Sequence, residues 1–308
     1  MTGSNFEPIE RYGKFISTER SHVPAIIFDG DPPLLIDPGV SAFGPLYYRR
    51  LLATAGETAG RLVMLLTHSH FDHCGAVPYL RRKFPGARVG ASAKAAEVLR
   101  KSSAIALIRR LNSEYEKEMA HQLKGEDVSF SGIAVDLPLK DKDWVDLGKG
   151  NRFQVIATPG HTRDCLSYFF PDSGVLVAGE AAGIPHNGRI QSGFLASYEE
   201  YRASIGKLQA LNAQALCIAH AGILAGRETV RDYLAQSLQA AEELRSMIAR
   251  YLEESQHDEE KAIDAISNDE RYSNRDRMTN NTPFLINLRA KVRLVEEMLR
   301  KDPSTSSG

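Results

Sequence analysis

The sequence predicts a layered α/β protein, with helices packed outside sheets, that continues into an all-helical C-terminal extension. Three observations carry this. Short apolar runs rich in β-branched residues alternate with helical stretches through the first two-thirds of the 308-residue chain, and alternation of that kind builds sheets covered by helices. From Arg227 to Leu299 no convincing strand pattern remains. Within that region Val230–Glu254 alone reads as one long amphipathic helix.

Taken along the chain, the strand-like runs are Ala25–Phe28, Leu34–Ile36, Leu62–Leu66, Phe153–Ile156, Leu166–Phe170, Val175–Ala178 and Ala215–Ala219. Most are bounded by Gly, Pro or Asp, residues that break a strand and turn the chain. The helical stretches are Pro45–Ala55, Ala76–Lys83, Ala93–Lys101 and Tyr198–Leu211, each with apolar residues at near-helical spacing. A long charge-studded helical segment, Ser102–Lys124, interrupts the pattern. The predicted organisation is an α/β body over residues 1–225 with a helical insertion at about 102–124. Helices follow over 226–301, and a Ser-rich, disordered tail over 302–308.

Composition narrows the function classes. With 38 Lys and Arg against 39 Asp and Glu, the formal charge of -1 gives no electrostatic reason for a nucleic-acid partner. No run approaches the roughly 18 apolar residues of a membrane span, and Met1–Tyr12 lacks the apolar core of a signal peptide. Cys74, Cys165 and Cys217 are odd in number and show no CxxC spacing. That pattern points to a reducing compartment, not to a disulfide framework. The expectation is a cytoplasmic globular protein with neither nucleic acid nor membrane as partner.

Chemistry enters at Thr67-His68-Ser69-His70-Phe71-Asp72-His73. This segment follows the Leu62–Leu66 strand directly, so it occupies the loop at the strand's end. Residues two apart in an extended segment share a side, which lets His68 and His70 converge on one ion. Asp72 and His73 lie past the bend and can face a second ion. Imidazole with carboxylate suits zinc, iron or manganese. Three more metal-capable residues follow strands: His161 after Phe153–Ile156, Glu180 after Val175–Ala178, and His220 after Ala215–Ala219. Each alone reads more readily as structural; beside HxHxDH they reinforce one another. Asp37, in Leu35-Ile36-Asp37-Pro38-Gly39, reads equally as a turn former or as a carboxylate that steadies a ligand imidazole. His186, six residues after Glu180 in a Gly/Pro/Asn loop, either touches substrate or faces solvent. Cys74 reads as a small buried filler.

These motifs resemble the metallo-β-lactamase superfamily, whose pattern is HxHxDH, a His after a strand, an acidic residue after Gly, and a last His. The matching positions are His68, His70, Asp72, His73, His161, Glu180 and His220, over about residues 10–225. The resemblance implies an α/β (α+β) four-layer αββα sandwich, with the C-terminal helices covering the active site. It implies two divalent metal ions, zinc or iron with manganese as the alternative. His68, His70 and His161 would hold one; Asp72, His73 and His220 would hold the other, with Glu180 bridging and Asp37 beneath the metal loop. One position departs: the family's usual bridge is Asp, and Glu180 carries one more methylene, which leaves the bridging mode open. Within the superfamily, the segments His70-Phe71-Asp72-His73-Cys74-Gly75, Pro78-Tyr79-Leu80, Lys101-Ser102-Ser103-Ala104 and Arg110-Leu111-Asn112 are similar to the 2-aminobenzoylacetyl-CoA thioesterase-like (PqsE-like) branch. The helical insertion and long helical C-terminus match that branch and the glyoxalase-II-like group.

Such a site predicts a metallo-hydrolase. Paired ions lower the pKa of a shared water toward neutrality, and the hydroxide so formed attacks an acyl carbonyl with no serine or cysteine nucleophile. Asp72 would hold that nucleophile in line. The expected substrate is a small-molecule thioester or similar activated acyl compound, as for an acyl-CoA thioesterase. A lactonase or phosphodiesterase on the same dinuclear site is the alternative. A third reading is a regulatory module with residual hydrolase activity, engaging a protein partner or a second copy as a homodimer. A redox diiron role is disfavoured, because oxygen-reducing members of the superfamily carry Glu where His70 stands.

Overall fold

Successive side chains of a strand point to opposite faces, so three apolar residues in a row need two cores. Ile26, Ile27 and Phe28 are all buried, and so are Leu34, Leu35 and Ile36. Both faces of their sheet must therefore be covered. The computed structural model, which describes residues 9–18, 25–148, 152–186, 188–269 and 282–301, shows how.

Strands β1 (Arg11–Tyr12), β2 (Phe15–Ser17), β3 (Ile26–Phe28), β4 (Leu34–Ile36), β5 (Val63–Leu65), β6 (Arg88–Ser92) and β7 (Leu137–Leu139) form one sheet in that spatial order. Its first four strands are antiparallel and its last four parallel. Next come β8 (Trp144–Asp146), β9 (Arg152–Ala157), β10 (Leu166–Phe170) and β11 (Val175–Val177), then a separate hairpin of β12 (Ile184–His186) and β13 (Arg189–Gln191). With β14 (Ala215–Ile218) and β15 (Gly222–Ala225), the second sheet has the order β15-β14-β11-β10-β9-β8. Its neighbours are antiparallel except β11 and β14. The helices are α1 (Gly44–Ala55), α2 (Phe71–Cys74), α3 (Val77–Lys83), α4 (Ala93–Val98), α5 (Ser102–Glu118), α6 (Ala120–Leu123), α7 (Tyr198–Ala210), α8 (Arg227–Glu254), α9 (Glu259–Asn268) and α10 (Thr282–Lys301).

Three buried clusters define four layers. Ile26, Phe28, Leu34, Ile36, Val63 and Leu65 meet Phe153, Val155, Tyr168, Phe170, Val175 and Val177 between the two sheets. Ile27, Leu35, Met64 and Val89, on the other face of the first sheet, pack under α1, α3 and α5 through Tyr47, Leu51, Leu80 and Ile108. Leu176, Leu216 and Leu224, on the outer face of the second sheet, pack under α7 and α8 through Tyr201, Ile205, Tyr233 and Leu234. This last cluster continues without a break into Ile263 of α9 and Leu288, Val292 and Val295 of α10. The strands end at Ala225 and helices begin at Arg227, yet body and extension share one apolar cluster.

The seven strands expected from sequence lie within two residues of β3, β4, β5, β9, β10, β11 and β14. The strands without a sequence signal are short or poor in branched apolar residues. Arg88-Val89-Gly90-Ala91-Ser92 makes β6 by pairing with β5 and β7, and Gly90 leaves the space that the Leu65 and Leu139 side chains occupy. The Gly/Pro/Asn loop expected around His186 is instead the β12–β13 hairpin, in which His186 pairs with Arg189. The 102–124 insertion forms α5 and α6, and the tail expected to be disordered, 302–308, lies outside the described residues. Cys74, Cys165 and Cys217 are free and buried.

One contact between layers fixes the position of a whole helix. The Thr158–His161 turn meets α7 backbone to backbone: a Cβ on Gly160, where φ is +131°, would lie 2.3 Å from Tyr201 Cα. The Gly160 carbonyl accepts from the amide of Ala196 at 2.9 Å, and the Ser204 hydroxyl donates to the Pro159 carbonyl at 2.7 Å. Gly160→Ala therefore combines backbone strain with overpacking and should cost about 3 kcal/mol. Urea unfolding measures this; a midpoint equal to wild type would contradict the packing described.

Candidate metal centre

Strand β5 delivers the chain to the site edge with Leu66 and Thr67, and the second sheet grips it there. The Leu166 amide donates to the Thr67 carbonyl at 2.8 Å, the Tyr168 hydroxyl to the Leu66 carbonyl at 2.5 Å, and the Ser69 amide to Asp164 Oδ2 at 2.9 Å. Held extended through His70, which has φ -67° and ψ 151°, the chain then turns into α2. His68 and His70 thus precede the bend, and Asp72 and His73 follow it in the first helical turn.

The structure brings all seven predicted ligand positions together in two groups that share Glu180. His68, His70, His161 and Glu180 form one; Asp72, His73, Glu180 and His220 form the other. Within each group every donor atom lies within 4.8 Å of the others. His161 Nε2 stands 3.1 Å from His70 Nδ1 and 3.4 Å from Glu180 Oε2. The opposite oxygen, Oε1, is 3.2 Å from both His73 Nε2 and His220 Nε2, and His220 Nε2 is 3.5 Å from Asp72 Oδ2. Each carboxylate oxygen of Glu180 therefore faces a different group. His186, on the hairpin, belongs to neither group.

Behind these side chains stands a set of fixed partners. Asp37, only 2 % exposed, accepts from the Thr67 amide and the Thr67 hydroxyl, each at 2.7 Å. Its Oδ2 also accepts from His73 Nδ1 at 2.9 Å. Asp37 thus both turns the chain, with the Gly39 amide donating to its carbonyl at 2.7 Å, and stands behind the His73 imidazole. His161 Nδ1 donates to the Gly193 carbonyl at 2.6 Å. In both rings the outer nitrogen faces a fixed acceptor and the inner Nε2 is turned into the cluster, the orientation of a metal-ligating imidazole. Asp37 and His220 have left-handed φ values of 53° and 59°, a conformation that costs free energy for a side-chain-bearing residue and clusters at functional sites.

Burial sets the charge balance. His68 is wholly buried; desolvation, reinforced by its three histidine neighbours, pushes its pKa well down. Burial likewise lowers His161, to about 4. Burial alone would neutralise His73 as well, but Asp37, Asp72 and Glu180 override it and hold this imidazole well above its ordinary range. Burial opposes the charge on Glu180, and His161, His220 and His73 overcome it, holding the carboxyl well below the usual range. A divalent cation fits the same place: His68 Nε2 is buried with no hydrogen-bond partner, an orphaned lone pair aimed among three other donors.

Sequence reasoning missed the supporting residues Thr67, Asp164, Gly193 and Tyr201. Thr67 adjoins His68 and Asp164 stands three residues after His161, but nothing in that spacing announces their bonds to the distant Asp37 and Ser69. The Asp37 contact generates a test. Asp37→Asn keeps the side chain's shape but removes the charge that holds His73 Nδ1–H. Metal affinity measured by chelator competition should fall roughly 10- to 100-fold; an unchanged affinity would contradict this assignment.

Among the described residues no helix is long and apolar enough to cross a membrane. The chain matches the metallo-beta-lactamase superfamily model over residues 18–220. It is 28% identical over 201 residues to a hydroxyacylglutathione hydrolase of Stenotrophomonas maltophilia, covering 65% of this chain and 60% of that protein. A second protein of that description, from Ectopseudomonas mendocina, is 28% identical over 148 residues, 48% of this chain and 42% of its own length. The matches thus span about half the length of these relatives. Among solved structures, the metallo-beta-lactamase family protein TTHA1429 of Thermus thermophilus superposes with a TM-score of 0.61 at 19% identity, covering 96% and 92% of the two chains. The archaeal superfamily protein ST1585 of Sulfolobus tokodaii gives 0.53 at 18% identity, covering 92% and 94%. These structures share the fold. With its αββα layers and the His, Asp and Glu cluster at the sheet edge, this chain belongs to the metallo-beta-lactamase superfamily.

Proposed function

We propose that the chain is a metal-dependent hydrolase that cleaves a thioester or similarly activated acyl substrate at a site for two divalent ions, zinc or iron, with manganese as the alternative. The observation that carries this reading is the position of Glu180, whose two oxygens face two separate groups of imidazole and carboxylate donors. His68, His70 and His161 are assigned to one ion, Asp72, His73 and His220 to the other, and Glu180 to both. When bound, such ions supply Lewis acidity toward a carbonyl oxygen and an acidified water.

The chain's own residues orient and enclose. Asp72, partly exposed beside His220, is assigned to accept a hydrogen bond from the nucleophilic water and hold it in line. Buried thiols leave no cysteine nucleophile at hand: Cys74 and Cys165 are fully enclosed, and burial pushes both thiols far up. The extension over 226–301 is assigned the cover of the cleft. Its first helix, α8, holds the loop after Glu180 through the Tyr233 hydroxyl on the Gly183 carbonyl at 3.0 Å and the Ser237 hydroxyl on the Ala182 carbonyl at 2.6 Å.

Thioesters are favoured over other acyl compounds by the two hydroxyacylglutathione hydrolases among the relatives. The PqsE-like branch is supported by the sequence segments around Cys74 and Asn112, and the three free, buried cysteines support a cytoplasmic setting. A panel of acyl-CoA, acylglutathione, lactone and phosphodiester substrates tests the reading on protein analysed for bound metal. Thioester turnover should dominate, vanish on chelation, and return with added metal. His68→Ala and His73→Ala should each lower it at least ~100-fold, since several kcal/mol of electrostatic stabilisation go with the ion. Full activity in metal-stripped protein eliminates the proposal, and preference for a lactone or phosphodiester moves the substrate class.

A further inference from the structure

Tyr201 lies in the first turn of α7, with no exposed surface. A phenylalanine would fill the same space; what the tyrosine adds is a hydroxyl in a dry interior, where a polar group is costly unless it is bonded. That hydroxyl accepts from the Gly193 amide at 3.1 Å and reaches toward the Glu180 carbonyl at 3.5 Å. Gly193 is the residue whose carbonyl takes the His161 Nδ1 proton at 2.6 Å. Its Cα is equally confined, because a Cβ there would lie 3.2 Å from both His161 Nδ1 and the Glu180 carbonyl.

The contacts close a circuit. His161 sits in the turn whose Gly160 abuts the Tyr201 backbone; the Tyr201 hydroxyl holds Gly193 by its amide; Gly193 holds His161 by its ring. The same hydroxyl touches the backbone of Glu180, which comes from a different loop. With the hydroxyl gone, the buried Gly193 amide would have to turn toward another acceptor. That shift moves the Gly193 Cα, from which the carbonyl that holds His161 hangs.

We propose that Tyr201 is a positioning residue for the metal centre: acting through Gly193 and the Glu180 backbone, its hydroxyl sets the rotation of the His161 ring and its register with Glu180. This rests on the two-ion reading above and adds a residue to it that touches neither ion nor substrate.

Cobalt(II) is the probe, because its visible absorption reports ligand geometry independently of turnover. The comparison uses the full chain as wild type, Tyr201→Phe and Tyr233→Phe. The last removes a hydroxyl from the same loop, at Gly183, and leaves Gly193 untouched. Tyr201→Phe should bind one cobalt equivalent roughly tenfold more weakly, with an altered d–d spectrum, while Tyr233→Phe keeps the wild-type spectrum and affinity. A wild-type spectrum in Tyr201→Phe overturns the inference and leaves the metal reading standing. Equal changes in both variants also overturn it, since the effect would then belong to the loop at large. If wild type binds no cobalt, the metal reading itself fails. Should Tyr201→Phe not fold, 3,5-difluorotyrosine placed at 201 weakens the phenol as an acceptor with little change in shape: a shifted cobalt spectrum supports the inference and an unchanged one overturns it.

Discussion

A carboxylate cut off from water has to be surrounded by donors or cations, and Glu180 is surrounded by three imidazoles. An isolated buried charge is so costly that a group in that position normally protonates instead. Here the neighbours hold it ionised, and they can do so only because other loops carry them there. Much of the architecture at this edge follows from that need. Asp37 places a second buried carboxylate behind His73, so the two acids share one ring between them. Two negative groups and a ring of lone pairs, enclosed together, make a cavity suited to divalent cations.

The sandwich satisfies the constraint by bringing strand ends from two sheets to a common edge. The first sheet supplies Asp37 after β4 and His68 to His73 after β5; the second supplies His161 after β9, Glu180 after β11 and His220 after β14. Rigid packing between the sheets, dense in Phe15, Phe28, Phe153 and Phe170, fixes how far apart those ends fall. Local fit completes the register. Gly179, at φ +54°, lets the Glu180 loop pass where a Cβ would press within 2.7 Å of the Thr67 hydroxyl, and that hydroxyl in turn bonds Asp37. Glu180 then points one oxygen at each group.

Most of the ligand set is legible in the amino-acid sequence, and the reason is physical. HxHxDH lies in one short segment whose geometry follows from a strand running into a helix, so period alone separates His68 and His70 from Asp72 and His73. His161, Glu180 and His220 each follow a strand with a clear apolar pattern. The supporting layer is not legible in the same way. Asp164 reaches Ser69 across 95 residues of sequence, and Tyr201 meets Gly193 through a turn and a helix that no local pattern links. β6, β7 and the 184–191 hairpin escape because short strands of small or mixed residues carry little periodic signal, and their existence depends on neighbours that pair with them. The division near residue 225 marks where strands stop, whereas the apolar cluster under α7 and α8 runs across it.

The central claim is that one buried carboxylate serves two cations. The most direct measurement is anomalous diffraction from crystals of protein purified without chelator, collected at the absorption edges of zinc, iron and manganese. The account predicts two peaks flanking the Glu180 carboxylate, one against His68, His70 and His161 and the other against Asp72, His73 and His220. A single peak, or peaks remote from Glu180, would contradict it.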